Sequence, residues 1–221
     1  MLYGSSMTQN KFHERLTPEN AAMLLIDHQS GLLPLVTHIS PPELKNNVLA
    51  LAKIAKIFKL PTILTTSFEQ GPNGPIAPEL PAMFPDVKII PRPGQINAWD
   101  SPEFVAAVRA TGRKKLIIAG ILTDVCVAFP AISATADGYD AYAVTDASGT
   151  TSSLNHETSI QRMIQAGVIP ISWMAVMSEL QRDWRRSTSP EMAKLFIEHM
   201  PTYGLIAHSY YASNPEQKIT V

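Results

Sequence analysis

At 221 residues, of which 45% are hydrophobic and 17% charged, the chain has the material for one α/β domain with a terminal extension and no case for global disorder. A formal net charge of −1 gives no footprint for nucleic acid or an anionic membrane, so a small-molecule substrate and further copies of the chain are the expected partners. The single cysteine cannot form an intramolecular disulfide, and neither a signal-like apolar run nor the ~18 apolar residues of a membrane helix is seen, so a cytoplasmic setting is expected.

Residues 1–17 read as a polar, aperiodic tail. AAMLLID (21–27) is a continuous apolar run ending in an acid, the pattern of a buried parallel strand. ELKNNVLALAKIAKIFK (43–59) sets Leu44, Val48, Leu51, Ile54, Ala55 and Phe58 at helical spacing, and Leu60-Pro61 stops the helix. TILTTSF (62–68) predicts a strand, 71–85 a Pro/Gly-rich loop, VKII (87–90) a third strand, and SPEFVAAVRATG a helix capped by Ser101 with Pro102 in its first turn. LIIAG (116–120) is the next strand and DVCVAFPAISATADG (124–138) the next helix, with Thr123 as its cap. DAYAVTD (140–146), a helix over 154–166, VIPIS (168–172) and a helix over 174–184 complete the pattern. Apolar strands alternating with helices imply a parallel sheet covered on both faces by right-handed crossovers. The expectation is a doubly wound, Rossmann-like three-layer sandwich with roughly six strands, occupying 18–185. Residues 186–221 form a C-terminal extension, with one more helix over 189–199 and the aromatic stretch PTYGLIAHSYYASN, read either as a frayed terminus or as an oligomer arm.

In such a sheet ligands bind beyond the carboxyl ends of the strands, and Asp27, Arg92 and Cys126 all fall there. Cys126 sits in a first helical turn, where free amides and the helix dipole favour a thiolate and could hold an oxyanion. A lone cysteine is as readily a small core residue. Asp27, at the end of an apolar strand, is expected to be desolvated, which raises a carboxyl pKa toward acid/base use; a turn cap is its plainer reading. Alternation turns the adjacent His28 away from the face of Asp27. Asn97 and Trp99 in RPGQINAWD (92–100), with Gln29, Phe68 and Glu69, are the residues expected to line a substrate pocket.

LLIDHQSGLL (24–33), TTSFEQGPNGP (65–75), RPGQINAWDSPEF (92–104), GILTDVCVAFPA (120–131) and VTDASGT (144–150) resemble, in order, the motifs of the isochorismatase-like cysteine hydrolases, in particular the YcaC-like branch. The resemblance implies a catalytic set of Asp, Lys and Cys, carried here by Asp27, Arg92 and Cys126, with arginine in place of lysine as that branch tends to show. Arginine can hold a charge but cannot relay a proton. The resemblance also implies a non-proline cis peptide before the motif threonine, at Leu122-Thr123, with backbone amides from Leu122 to Cys126 facing the substrate oxygen. Metal-dependent relatives carry Asp-x-His after the second strand. Ser67, Phe68 and Glu69 stand there, so no metal and no cofactor is expected.

Together these features predict hydrolysis of a small amide or related carbonyl compound through a Cys126 thioester, with Asp27 moving the protons. The rival is a weakly catalytic or non-catalytic small-molecule binding protein on the same fold. A redox-sensing Cys126 lacks a resolving cysteine, and an Asp27 phosphatase lacks a second acid at Gln29. The resemblance further implies a homo-oligomer, with an octamer as its suggested size.

Overall fold

The computed structural model describes residues 14–217. Short apolar runs with no polar face can satisfy their backbone only inside a sheet covered on both sides. Six of them do so: β1 (Ala21–Ile26), β2 (Thr62–Ser67), β3 (Ile90–Arg92), β4 (Lys115–Gly120), β5 (Asp140–Val144) and β6 (Ile169–Ile171), in the order β3-β2-β1-β4-β5-β6. All the pairings are parallel. The strand order reverses between β1 and β4, so a crevice opens beyond their carboxyl ends.

Alternation along the strands sorts two cores. Ala21, Met23, Leu25, Leu64, Ile117 and Ala119 face one layer, built by α1 (Pro41–Ile57), the short α2 (Glu79–Met83), α6 (Trp173–Gln181) and α7 (Ser189–His199). Ala22, Leu24, Ile26, Leu116 and Ile118 face the other, built by α3 (Pro102–Ala110), α4 (Ala128–Ala136) and α5 (Ser153–Gln165). α3 starts as the sequence predicts, Ser101 accepting from the Phe104 amide with Pro102 in the first turn, whereas α1 starts at Pro41, before the expected 43, because Ser40 accepts from the Glu43 amide and caps it.

Several elements differ from expectation, among them the short α2, which forms inside the expected 71–85 loop. β3 lies at Ile90–Arg92 instead of 87–90, because Val87 is held in a turn by Phe84 while Arg92 takes its place opposite Ser67. Pro91, without an N–H, is tolerated because β3 is an edge strand. The helix expected over 124–138 is divided into a wide π turn, Thr123–Val127, and α4. Pro130 has no N–H to give the carbonyl of Cys126, so regular α geometry cannot run through it. Leu122, not Thr123, occupies the cap position, with no side-chain cap bond.

The aromatic stretch at the C-terminus is helical, α8 (Pro201–Ser213). It escapes periodicity analysis because Leu205, Ile206 and Tyr210 point outward while Gly204 and Ala207 are buried. Gly204 lets the helix lie close to α7, since a Cβ there would stand 3.0 Å from the carbonyl oxygen of Ile197.

Candidate active site

Asp27 follows β1 with φ +57°, a left-handed conformation that Asp tolerates better than most residues. Simple alternation after Ile26 would aim it at the α1 layer. The kink turns it instead to the side of Ile26 and Cys126, where it meets Arg92, and leaves His28 facing Leu44 and Val48 of α1.

Arg92 and Asp27 form an ion pair with both side chains shut off from solvent. Every guanidinium nitrogen has an acceptor: Nε donates to Thr65 Oγ1 at 3.2 Å, Nη1 to the carbonyls of Gln95 at 2.6 Å and Ile96 at 3.1 Å, and Nη2 to Asp27 Oδ1 and, at 2.5 Å, Oδ2. Arginine has five N–H donors in a fixed fork. None is left over for a substrate, so Arg92 serves to hold the carboxylate.

Burial raises the Asp27 pKa and Arg92 opposes that rise. The Cys126 thiol, also buried, hydrogen-bonds to Asp27. Its pKa is pushed up, first by burial and then by the neighbouring carboxylate, with a backbone hydrogen bond from Leu122 acting the other way. This corrects the expectation of a depressed thiol pKa: low dielectric and an anion in contact outweigh the dipole of one irregular turn. At rest Cys126 is a thiol beside a carboxylate.

The non-proline cis peptide lies at Ile121-Leu122, one bond before the expected Leu122-Thr123. The Leu122 carbonyl already accepts the amides of Val125 and Val127, both at 3.2 Å, which makes the Leu122-Thr123 peptide part of the following turn. The Thr123 amide is taken by the Gly149 carbonyl at 2.9 Å, so within the expected Leu122-to-Cys126 amide set it is not available to an oxyanion.

Side chains from the loop after β5 and from α5 brace this turn. Thr123 Oγ1 lies 3.1 Å from His156 Nδ1, and Thr150 Oγ1 donates to Asp124 at 2.6 Å. His156 stacks on His38 with ring centroids 4.0 Å apart. Burial lowers the His156 pKa to about 4, keeping the ring neutral near pH 7. Thr65, His156 and Gly149 carry no signal in the sequence because each acts through a partner distant in the chain, and Gln95 carries none because it acts through its backbone carbonyl.

Of the expected pocket residues, Phe68 and Glu69 share a cavity of about 370 Å³ with Pro91, Arg92 and Pro93. Gln29 instead clamps the loop after β2, its amide donating to the carbonyls of Ser67 and Gly74 and accepting from the Ser67 amide. Asn97 and Trp99 are likewise engaged elsewhere. Asn97 binds Ser133 and the Trp99 amide, while Trp99 donates to Asp137 and packs on Phe104 and Tyr139, toward the end of α4 remote from Cys126. Among the described residues no group of three or more His, Cys, Asp or Glu side chains is placed to hold a metal.

Comparison with known proteins bears on this geometry. Residues 21–175 match the Isochorismatase domain family. The chain is 55% identical to the probable hydrolase YcaC of Escherichia coli K12 over 200 residues, 90% of this chain and 96% of that one. Among solved structures it is similar to the E. coli YcaC gene product, an octameric hydrolase of unknown specificity, with a TM-score of 0.89, 54% identity and coverage of 92% and 99% of the two chains. It is similar also to YcaC from Pseudomonas aeruginosa with hexane-2,5-diol and covalent acrylamide, with a TM-score of 0.88, 53% identity and coverage of 90% and 98%.

Proposed function

The chain belongs to the isochorismatase family of hydrolases, and from that premise we propose that it hydrolyses a small amide or related carbonyl compound through a thioester on Cys126. The observation that supports this reading is the closed chain of contacts from Arg92 through Asp27 to the thiol. Asp27, kept anionic by Arg92 against the pull of burial, accepts the thiol proton as sulfur attacks the carbonyl carbon. The amide of Cys126 receives the oxyanion.

Once protonated, Asp27 has lost its buried pairing with Arg92 and is therefore a willing acid. It gives the proton to the leaving amine as the C–N bond breaks. Asp27 then deprotonates a water that attacks the thioester, and the proton it gained returns to sulfur as the acid departs. Arg92 moves no proton in this scheme.

The same reading places the enzyme in a reducing, cytoplasmic setting, where a nucleophilic thiol stays reduced. It also makes the protein a homo-oligomer, as the E. coli relative is an octamer, with the extension over 186–221 supplying an arm through the exposed Leu205 and Ile206 of α8. No helix among the described residues is long and apolar enough to cross a membrane.

The fully engaged guanidinium also favours a second reading, a binding protein without turnover, because arginine at this position cannot relay protons. Wild type and Cys126→Ala, incubated with a panel of small primary amides and assayed for ammonia, separate the two. Turnover by wild type alone is expected; equal turnover by both removes Cys126 from the mechanism, and turnover by neither favours binding. Acrylamide, found covalently bound in the P. aeruginosa relative, is expected to add once to this chain, at its single cysteine.

A further inference from the structure

On the far side of the sheet from Cys126 a cavity of about 270 Å³ lies in the α1 layer, walled by Leu33, Val36, Leu44, Val48, Leu80 and the imidazole of His28. All the aliphatic members belong to the core that packs on α1, whereas Cys126 belongs to the opposite core. The catalytic scheme uses neither the space nor the histidine.

His28 gives the cavity its one buried polar group. The ring is 1% exposed, and its Nε2 lies 3.4 Å from the Ala147 carbonyl. A carbonyl only accepts, so Nε2 carries the hydrogen and Nδ1 presents a lone pair. That Nδ1 is buried and has no hydrogen-bond partner. Desolvation lowers the His28 pKa to about 4, so the ring stays neutral and Nδ1 remains an acceptor at neutral pH. Lys45 and Glu79, the charged residues of the wall, are exposed and already paired with each other at 2.5 Å.

We propose that this cavity is a second ligand site, separate from the active site, for a small neutral molecule with an apolar body and one hydrogen-bond donor, such as a phenol or an alcohol, whose hydroxyl donates to His28 Nδ1. A ~150 Å³ apolar cavity accommodates benzene, so this one takes roughly ten non-hydrogen atoms. Water beside His28 is a poor occupant, since it needs two to four polar partners and the other polar lining residues, Ser30, Lys45 and Glu79, lie toward solvent. An anion or cation is disfavoured because the Lys45–Glu79 pair neutralises the charges nearby.

The test uses 4-bromophenol, with 4-bromotoluene as its hydroxyl-free counterpart. Crystals of the wild-type protein soaked in 4-bromophenol are expected to show the bromine by anomalous scattering between Leu44 and Val48, with the hydroxyl on His28. In calorimetry His28→Leu is expected to bind 4-bromophenol about five- to tenfold more weakly, the loss of one hydrogen bond, while 4-bromotoluene binding stays within twofold. Val48→Phe fills the space without touching the acceptor and is expected to abolish binding of both. Soaked crystals with no bromine there, a cavity filled by a side chain of a second copy, or equal 4-bromophenol affinity in wild type and His28→Leu would overturn the proposal. Cys126→Ala is expected to bind 4-bromophenol as wild type does; loss of binding there would assign the ligand to the active site and overturn it as well.

Discussion

At the scale of single residues the site is governed by one carboxylate in two contacts. Removing the charge of Asp27 leaves the Arg92 guanidinium buried and unpaired, so Asp27→Asn is expected to cost about 3–5 kcal/mol in urea unfolding as well as turnover. Arg92→Lys keeps the charge but offers three donors from one point where five are fixed in a fork. Gln95, Ile96 and Thr65 then lose donors, and a destabilisation of about 1–3 kcal/mol with lower turnover is expected; a gain in turnover would mean that the arginine restrains proton transfer. His156 acts through Thr123 and is a positioning residue. His156→Ala is expected to lower kcat by about 5–10-fold with little change in KM, and His156→Asn, which retains a hydrogen-bonding group, to restore part of it. Asp27, Arg92 and Cys126 were legible because each lies just beyond, or at the end of, an apolar strand in a recognisable motif. The roles of Gln29, Asn97 and Trp99 were not, because their side chains answer to backbone groups and helix ends that only the folded chain brings near.

The elements carry these residues by close approach. β1 and β4 meet where the site forms, and a Cβ on Gly120 would stand 2.4 Å from the Ile26 carbonyl oxygen. Gly120→Ala therefore has to push apart the two strands that carry Asp27 and Cys126. It is expected to lower the urea midpoint and depress turnover together, whereas Ser101→Ala, which removes the α3 cap far from the site, is expected to cost about 1 kcal/mol with kcat unchanged. Continuous apolar runs and capped helices made the sheet and most helices readable. The edge strand β3 and the π turn were shifted or divided by Pro91 and Pro130, whose missing N–H groups have consequences only once hydrogen-bond partners are known. α8 had no periodic signal, since its apolar residues face both inward and outward.

For the whole molecule, the buried His28 and the half-buried His156 set the acid limit of stability. His28 and His156 have pKa values lowered to about 4 from an ordinary 6.5, so as pH falls below 6.5 the unfolded chain binds protons that the folded chain refuses. Their stabilisation is full above that pH and is lost progressively toward pH 4, with a slope of up to about 2.7 kcal/mol per pH unit for two protons. Asp27 works in the opposite sense: its raised pKa favours the folded state where it is protonated, a contribution lost as pH rises through the folded pKa. Urea midpoints measured from pH 8 to pH 4 are expected to be level at first and then to fall, and His156→Ala is expected to shallow the fall. Under the proposed role of α8 as an oligomer arm, Leu205→Asp with Ile206→Asp is expected to reduce the oligomer in light scattering. The most direct test of the thioester mechanism is intact-mass analysis of wild-type protein quenched during turnover of a small amide. An acyl adduct on Cys126 that decays as product forms is expected, and steady turnover with no adduct in wild type, matched by Cys126→Ala, would contradict it.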